Sequence, residues 1–282
     1  MEVAERIRAR GATLTSAERR VAEAILAAPQ AVGFGTVADL ARAADVGAAS
    51  VVRLAAKLGF DGYSDLQQCV QRDLTHQLRP AAERIHEAVS GSLADHRAAE
   101  LANVEATLGG VDERSLGTLV DRLCDLARPV AVISGDASAG VAQQFAAQLH
   151  QLRHGVALIG GSEVVVRRDL ALLDDAATVL VIDLRRYERW VLDAHRTVCD
   201  RGIWSAALTD SMLSPLAAQA QATFLVAAGS ISPFDSHVGT LALLNLVALD
   251  VATGLRQSAT ERLGAVESAW SENASLTDGR PN

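Results

Sequence analysis

Lysine is all but missing from this chain of 282 residues. Lys57 is its only one, and arginine supplies the rest of the positive charge. Cysteine is sparse too. Cys69, Cys124 and Cys199 are odd in number, lie far apart and form no C-x-x-C pair. That excludes a disulfide framework and a structural zinc site, and points to buried reduced thiols. No run approaches the roughly 18 unbroken apolar residues of a membrane span, which excludes an integral membrane protein. The charged start Met1-Glu2-Val3-Ala4-Glu5-Arg6 lacks the apolar core and cleavage site of a secretion signal, so a cytoplasmic protein is expected. With 49% apolar and 21% charged residues, the chain is rich enough in core formers for two folded domains and is not disordered.

A net charge of −8 argues by itself against nucleic acid, but the average hides an asymmetry. Residues 1–80 carry a net +1 and the remainder a net −9, which is compatible with a DNA-binding head on an acidic body.

The head reads as short helices. Thr15 or Ser16 caps a helix through Val21, Ala22, Ile25 and Leu26 that stops near Pro29. Thr36 and Asp39 make a capping box for a second helix with Val37, Leu40 and Ala41. A tight connection at Ala44-Asp45-Val46-Gly47 leads to a third, with Val51, Val52, Leu54, Ala55 and Leu58, ended by Gly59. Two short helices joined this closely form a helix-turn-helix pattern. Residues 78–118 read as a helical linker and arm, with Pro80 opening one segment and 93–108 forming another. From 119 the rhythm changes to short apolar runs at 129–133, 156–159, 178–182, 204–208 and 222–226. Helices are expected at 140–150, 188–201 and 238–251, with a short one opened by Ser214-Pro215. Apolar strands alternating with helices predict a parallel sheet covered on both faces. Residues 259–282 are expected to be a tail, frayed after about Arg262.

In the third helix Val46, Val51, Leu54 and Leu58 should face the core, leaving Ala49, Ser50, Arg53 and Lys57 on the opposite face. Small residues at the start, Gly47, Ala48 and Ala49, permit close approach to the major groove, and longer basic ones reach bases or phosphates. An ordinary amphipathic helix with a solvated face has the same periodicity.

The segment Leu14-Thr15-Ser16-Ala17-Glu18, Val37-Ala38-Asp39-Leu40-Ala41, Val46-Gly47, Ser50-Val51-Val52-Arg53-Leu54 and Leu58-Gly59-Phe60-Asp61-Gly62-Tyr63 resembles the N-terminal domain of the RpiR/MurR family of bacterial transcription regulators. The likeness runs without gaps over about 75 residues. Gly47 stands where the family usually has Ser, and Leu54 where it has Phe. The resemblance implies an all-α helix-turn-helix domain over 1–77 that binds double-stranded operator DNA through Gly47, Ala48, Ala49, Ser50, Arg53 and Lys57.

In the body, Ile133-Ser134-Gly135-Asp136-Ala137-Ser138-Ala139-Gly140 joins a strand to a helix. Backbone N–H groups and the Ser138 hydroxyl could meet an anion there, although a plain strand-to-helix turn has the same composition. In context it resembles the first phosphosugar loop, G-x-G-x-S, of the sugar-isomerase (SIS) domain that forms the C-terminal half of RpiR-type regulators. Gly135 and Ser138 fit and Ala137 replaces the second Gly. The resemblance implies an α/β three-layer sandwich with a five-stranded parallel sheet over 119–258, and dimers or tetramers formed through it. The family's second loop, S-x-S-G-x-T, is replaced by Asp183-Leu184-Arg185-Arg186-Tyr187-Glu188. Its hydroxyl cradle gives way to two arginines flanked by acids, which suit either a carboxylate or phosphate ligand or an internal ion-pair network. In the third loop, 230–237, Ser236 and His237 sit just before the last long helix. His237 is either a ligand contact or a satisfied structural histidine. His76, His86 and His96 share no helix face and suggest no metal, and Trp190 is expected to pack.

The leading reading is a transcription regulator whose SIS domain binds a small anionic effector, a sugar phosphate or sugar acid. The expected effector residues are Gly135, Ala137, Ser138, Asp183, Arg185, Arg186, Ser236 and His237. No catalytic residue, metal or cofactor is expected. A sugar-phosphate isomerase and a ligand-free SIS scaffold are the rivals. One short recognition helix makes too few contacts for a selective site, so symmetric pairing is expected.

Overall fold

The computed structural model describes residues 3–275 apart from 4, 5, 8, 9, 28–31, 34, 79, 80, 88–91 and 213. Pro29 and Pro80, expected as helix boundaries, lie outside the described residues, as do the side chains of His76 and His86. The chain divides into two units, Met1–Glu87 and Ala88–Asn282.

The first unit is helical: α1 (Ser16–Ala27), α2 (Val37–Ala43), α3 (Ala48–Lys57), α4 (Tyr63–Leu78) and α5 (Ala81–Glu87). Both expected N-terminal signals form. Glu18 accepts from the Thr15 backbone N–H at 2.8 Å while the Thr15 hydroxyl accepts from Glu18 N at 3.4 Å. Thr36 and Asp39 make the same reciprocal pair on α2, a device contributing about 1 kcal/mol. Asp45 carries the α2–α3 turn at a φ of 51°, and the Arg20 guanidinium holds it by donating to the Ala44 and Asp45 carbonyls, each at 3.2 Å. Val21, Ile25, Leu40, Val51, Leu54, Leu58, Phe60 and Leu66 make one core.

The second unit opens with α6 (Leu93–Gly109) and α7 (Glu113–Cys124), followed by β1 (Val130–Ser134), α8 (Ala139–Leu152), β2 (Val156–Ile159), α9 (Glu163–Ala171), β3 (Thr178–Ile182), α10 (Arg189–Asp200), β4 (Trp204–Thr209), β5 (Ala222–Leu225), α11 (Val238–Gly254) and α12 (Arg256–Glu272). The five strands are all parallel, in the order β2-β1-β3-β4-β5. Alternate residues of β1 go to opposite faces. Val130 and Val132 join the core under α7, α8 and α11, while Ala131 and Ile133 join the core under α9 and α10. Both faces are covered, which is why these strands read as unbroken apolar runs. The fully buried Arg153 closes the bottom of the sheet, its guanidinium donating to the carbonyls of Leu123, Asp125, Arg128 and His154.

Three expectations change. The segment opened by Ser214-Pro215 is a run of turns, because the Ser214 hydroxyl takes the Leu216 N–H at 3.2 Å and competes with helix formation. The expected tail is helical to Glu272. Ala259 is buried and Arg262 donates to the His150 carbonyl at 2.7 Å, so tertiary packing holds the helix where composition reads as a fraying end. Helix α9 was not anticipated by the apolar pattern. Ser162 caps it, and it buries only Val166 and Leu170. Among the described residues, no single helix is long and apolar enough to cross a membrane.

Candidate DNA-binding helix and effector cleft

Helix α3 starts at Gly47, which supplies no side-chain cap. Its exposed residues are Ala48, Ala49, Val52, Arg53 and Ala56, a surface of small groups with one long cation. Two residues expected on that face sit elsewhere. Ser50 is buried, with 7% of its surface exposed, and its hydroxyl accepts from Arg53 Nη2 at 2.8 Å. Ser50 therefore orients the arginine from below. Lys57 is half-buried and turned inward, its ammonium donating to the Thr13 carbonyl at 2.6 Å and lying 2.9 Å from Glu18 Oε2. The Lys57 hydrogen bond and the Thr15 N–H hold the Glu18 carboxyl down at about 2. The cause of both shifts is helical phase: at 3.6 residues per turn, positions 50 and 57 lie beside the core stripe of 51, 54 and 58.

In the second unit the strand order reverses between β1 and β3, with β2 on one side and β3 on the other. The carboxyl ends of these strands are where open α/β sheets take ligands. The loops after β1 and β3 meet there. Gly135 leaves β1, and Asp136–Ser138 form one 3₁₀ turn before α8. Asp183 leaves β3 and is buried, accepting from Leu184 N at 3.0 Å and Glu188 N at 2.8 Å. Burial chiefly, then the Glu188 and Asp210 carboxylates, push its carboxyl up to about 6. Glu188 reaches across to accept the Asp136 N–H, and its other oxygen accepts from Trp190 Nε1 at 2.6 Å. Trp190 therefore does more than pack.

The arginines divide. Arg185 Nη2 lies 2.7 Å from Asp235 and donates to the Ala228 carbonyl at 3.1 Å, while its backbone N–H donates to Asp210 at 2.9 Å. That is the internal network. Arg186 is exposed, with a φ of 66°. It keeps the left-handed backbone of the position where the resemblance has glycine. Tyr187 donates its hydroxyl to Asp210 at 2.9 Å, and burial drives its own ionisation far upward. Ser236 is buried and donates to Glu100 on α6. Burial lowers the pKa of His237, against the opposing influence of Asp235 and the Ala137 backbone nearby. Ser138 Oγ and His237 Nδ1 are buried atoms without a hydrogen-bond partner among the described residues. Among the described residues no group of acidic, histidine or cysteine side chains could hold a metal.

Residues 1–77 match the helix-turn-helix domain of the rpiR family, and residues 127–250 match the SIS domain. The chain thus joins an rpiR-family helix-turn-helix domain to a SIS domain. Over its SIS half, this chain is similar to the sugar isomerase domain of an RpiR transcription factor from Sphaerobacter thermophilus. The two are 26% identical at a TM-score of 0.56, over 62% of this chain and 97% of that one. Its fold is also that of the Vibrio vulnificus NanR protein complexed with ManNAc-6P, with a TM-score of 0.58, 20% identity, and 95% and 97% of the two chains covered. Among curated proteins it resembles a bifunctional protein glk of Paraburkholderia xenovorans (strain LB400), 32% identical over 124 residues, which is 44% of this chain and 19% of that protein. The chain thus spans about a fifth of the length of that relative.

The sequence left several residues around these loops unnoticed. Asp210 carried a signal, since a polar residue directly after an apolar parallel strand lies at the carboxyl edge of the sheet. Glu100, Asn103 and Thr107 carried none. They come from α6, and they pin the segment after β5 through Ser236, the Gly229 backbone and Ala227 N.

Proposed function

We propose that this protein regulates transcription by placing α3 in the major groove of operator DNA, and that a small carbohydrate-derived effector in the β1–β3 crevice changes its operator affinity. The observation that carries the reading is the outward face of α3. Gly47, Ala48 and Ala49 leave room for the groove floor, and Arg53 is held at its Ser50 anchor in reach of a base edge or phosphate. The effector seat combines the loops at 134–138, 183–188 and 230–237. Gly135, Ala137, Ser138, Asp183, Arg185, Arg186, Ser236 and His237 are its proposed residues, and Glu188 and Asp210 are added to them. An anionic effector, sugar phosphate or sugar acid, would draw on the arginines and the first loop. Of that set, Arg186 and the Ser138 hydroxyl have no bond to another described residue, so the geometry supports a carbohydrate ligand more than a particular charge on it. His237 belongs to this seat and not to a catalytic pair. Operator sites are read by symmetric pairs of chains.

The test is selection of duplexes from a random pool by the full chain, followed by titration of the selected site with and without a panel of sugars and sugar derivatives. A recovered two-fold motif whose affinity responds to a panel member is the expected result. Recovery of no preferred sequence, or full affinity from a strictly monomeric chain, overturns the respective part.

A further inference from the structure

We infer that the β1–β3 crevice takes an uncharged polyol, a free sugar or cyclitol, and excludes phosphorylated ligands because Glu188 already sits at the anion position of the first loop. The inference rests on the reading that this crevice holds the effector, and it names the ligand class.

After β1 the Gly135 N–H is taken by the Ile182 carbonyl at 3.2 Å, and the next backbone donor, the Asp136 N–H, is accepted by a carboxylate of the chain itself. That carboxylate is held from more than one side. Trp190 Nε1 donates to its second oxygen at 2.6 Å, and the Glu188 backbone N–H is fixed by Asp183 at 2.8 Å. The room beside the loop is also used up. A methyl group on Gly135 would fall 2.6 Å from Asp183 Oδ1 and 3.0 Å from Glu188 Oε1, so the space beside the glycine is occupied by these two carboxylates. A phosphate here would lie against Glu188 and be repelled. Of the two arginines in the loop after β3, Arg185 is closed by Asp235, with both side chains largely buried, so only the exposed Arg186 is left to offset this repulsion.

What remains is a set of groups that suits hydroxyls. Glu188, Asp183 and Asp210 are acceptors. Ser138 Oγ, in a residue with no exposed surface, and His237 Nδ1 have no hydrogen-bond partner among the described residues. A hydroxyl both donates and accepts, so a polyol can complement acceptors and orphaned atoms together, whereas a phosphate dianion offers only acceptors to an acceptor-rich wall.

The experiment is isothermal titration of the full chain with inorganic phosphate, in the wild type, Glu188→Thr and Glu188→Ala. Matched pairs follow on the wild type: glucose and glucose 6-phosphate, N-acetylmannosamine and its 6-phosphate, myo-inositol and inositol 1-phosphate. An unchanged circular-dichroism spectrum and a cooperative thermal transition certify that a variant is folded. The expected result is no saturable phosphate binding to the wild type, a gain of at least about tenfold in both folded variants, and a wild type that prefers the unphosphorylated member of any pair it binds. Saturable phosphate binding to the wild type, preference for a phosphorylated member, or folded variants that gain nothing would each overturn it. Variants that gain phosphate while the wild type binds no polyol support the exclusion by Glu188 and overturn the effector reading beneath it.

Discussion

Gly135 and Asp183 compete for one space at the carboxyl ends of β1 and β3. A Cβ on the glycine would fall 2.6 Å from Asp183 Oδ1 and 2.9 Å from its Cγ. The carboxyl cannot swing away freely, because Leu184 N and Glu188 N both donate to it. Gly135→Ala should therefore destabilise the protein by about 1–3 kcal/mol, as overpacking does. Urea unfolding measures it. Combined with Asp183→Ala the two losses should not add, since the second change removes the clash created by the first. Strict additivity would show that the clash is relieved by backbone movement instead.

Arg53 is the long cation on the exposed face of α3 and Ser50 its buried anchor. Arg53→Ala should weaken operator binding by about 1–3 kcal/mol if the contact is bidentate to guanine. Ser50→Ala should cost less, because it frees the guanidinium without removing it. Quantitative mobility shifts at two salt concentrations decide the matter. An Arg53→Ala variant with unchanged affinity and salt slope removes α3 from the interface.

Lys57 should behave differently, since its ammonium is spent on Glu18 and Thr13. Lys57→Met should cost about 1.5–3 kcal/mol of stability, the range for a hydrogen bond to a charged group. It should leave the salt slope of operator binding close to that of the wild type. The Glu18 carboxyl, ordinarily at 4.5, is lowered to about 2 in the folded state. Its contribution is full above 4.5 and is lost as pH falls from there toward 2. That acid loss should be smaller in Lys57→Met, as followed by thermal unfolding across this window.

Two buried groups in the second unit set opposite pH trends. Asp183 is raised from 3.8 to about 6, so the folded state holds a proton that the unfolded state has released, and stability falls as pH rises from 3.8 to 6. His195 is lowered from 6.5 to about 4 by burial, so its contribution is full above 6.5 and is lost as pH falls toward 4. Its Nε2 lies 2.9 Å from the Ser205 hydroxyl, which suits the neutral ring. Asp183→Asn should abolish the first trend and His195→Gln the second. Melting temperatures from pH 4 to 7 separate them, and a variant that keeps its parent's profile would assign the trend to another group.

The order of elements was largely legible in the residues themselves. Five apolar runs between helices, Thr36 with Asp39 three residues on, and Gly59, whose φ is 86°, are local signals, and a strand buried on both faces or a capped turn needs nothing beyond its own neighbours to announce itself. The division of the α3 face was legible only in part. Periodicity separates a core stripe from a solvent face, but Ser50 and Lys57 lie at its border, and the inward turn of Lys57 depends on Glu18 and Thr13, which are distant in the chain. The cleft was decided by tertiary structure alone. A sequence shows that Asp183, Arg185 and Glu188 replace hydroxyls. It cannot show that Glu188 crosses to the Asp136 N–H, 52 residues earlier, or that Asp235 closes Arg185. Charges in a low-dielectric crevice pair with whatever the fold brings within reach, and that choice belongs to the packed chain.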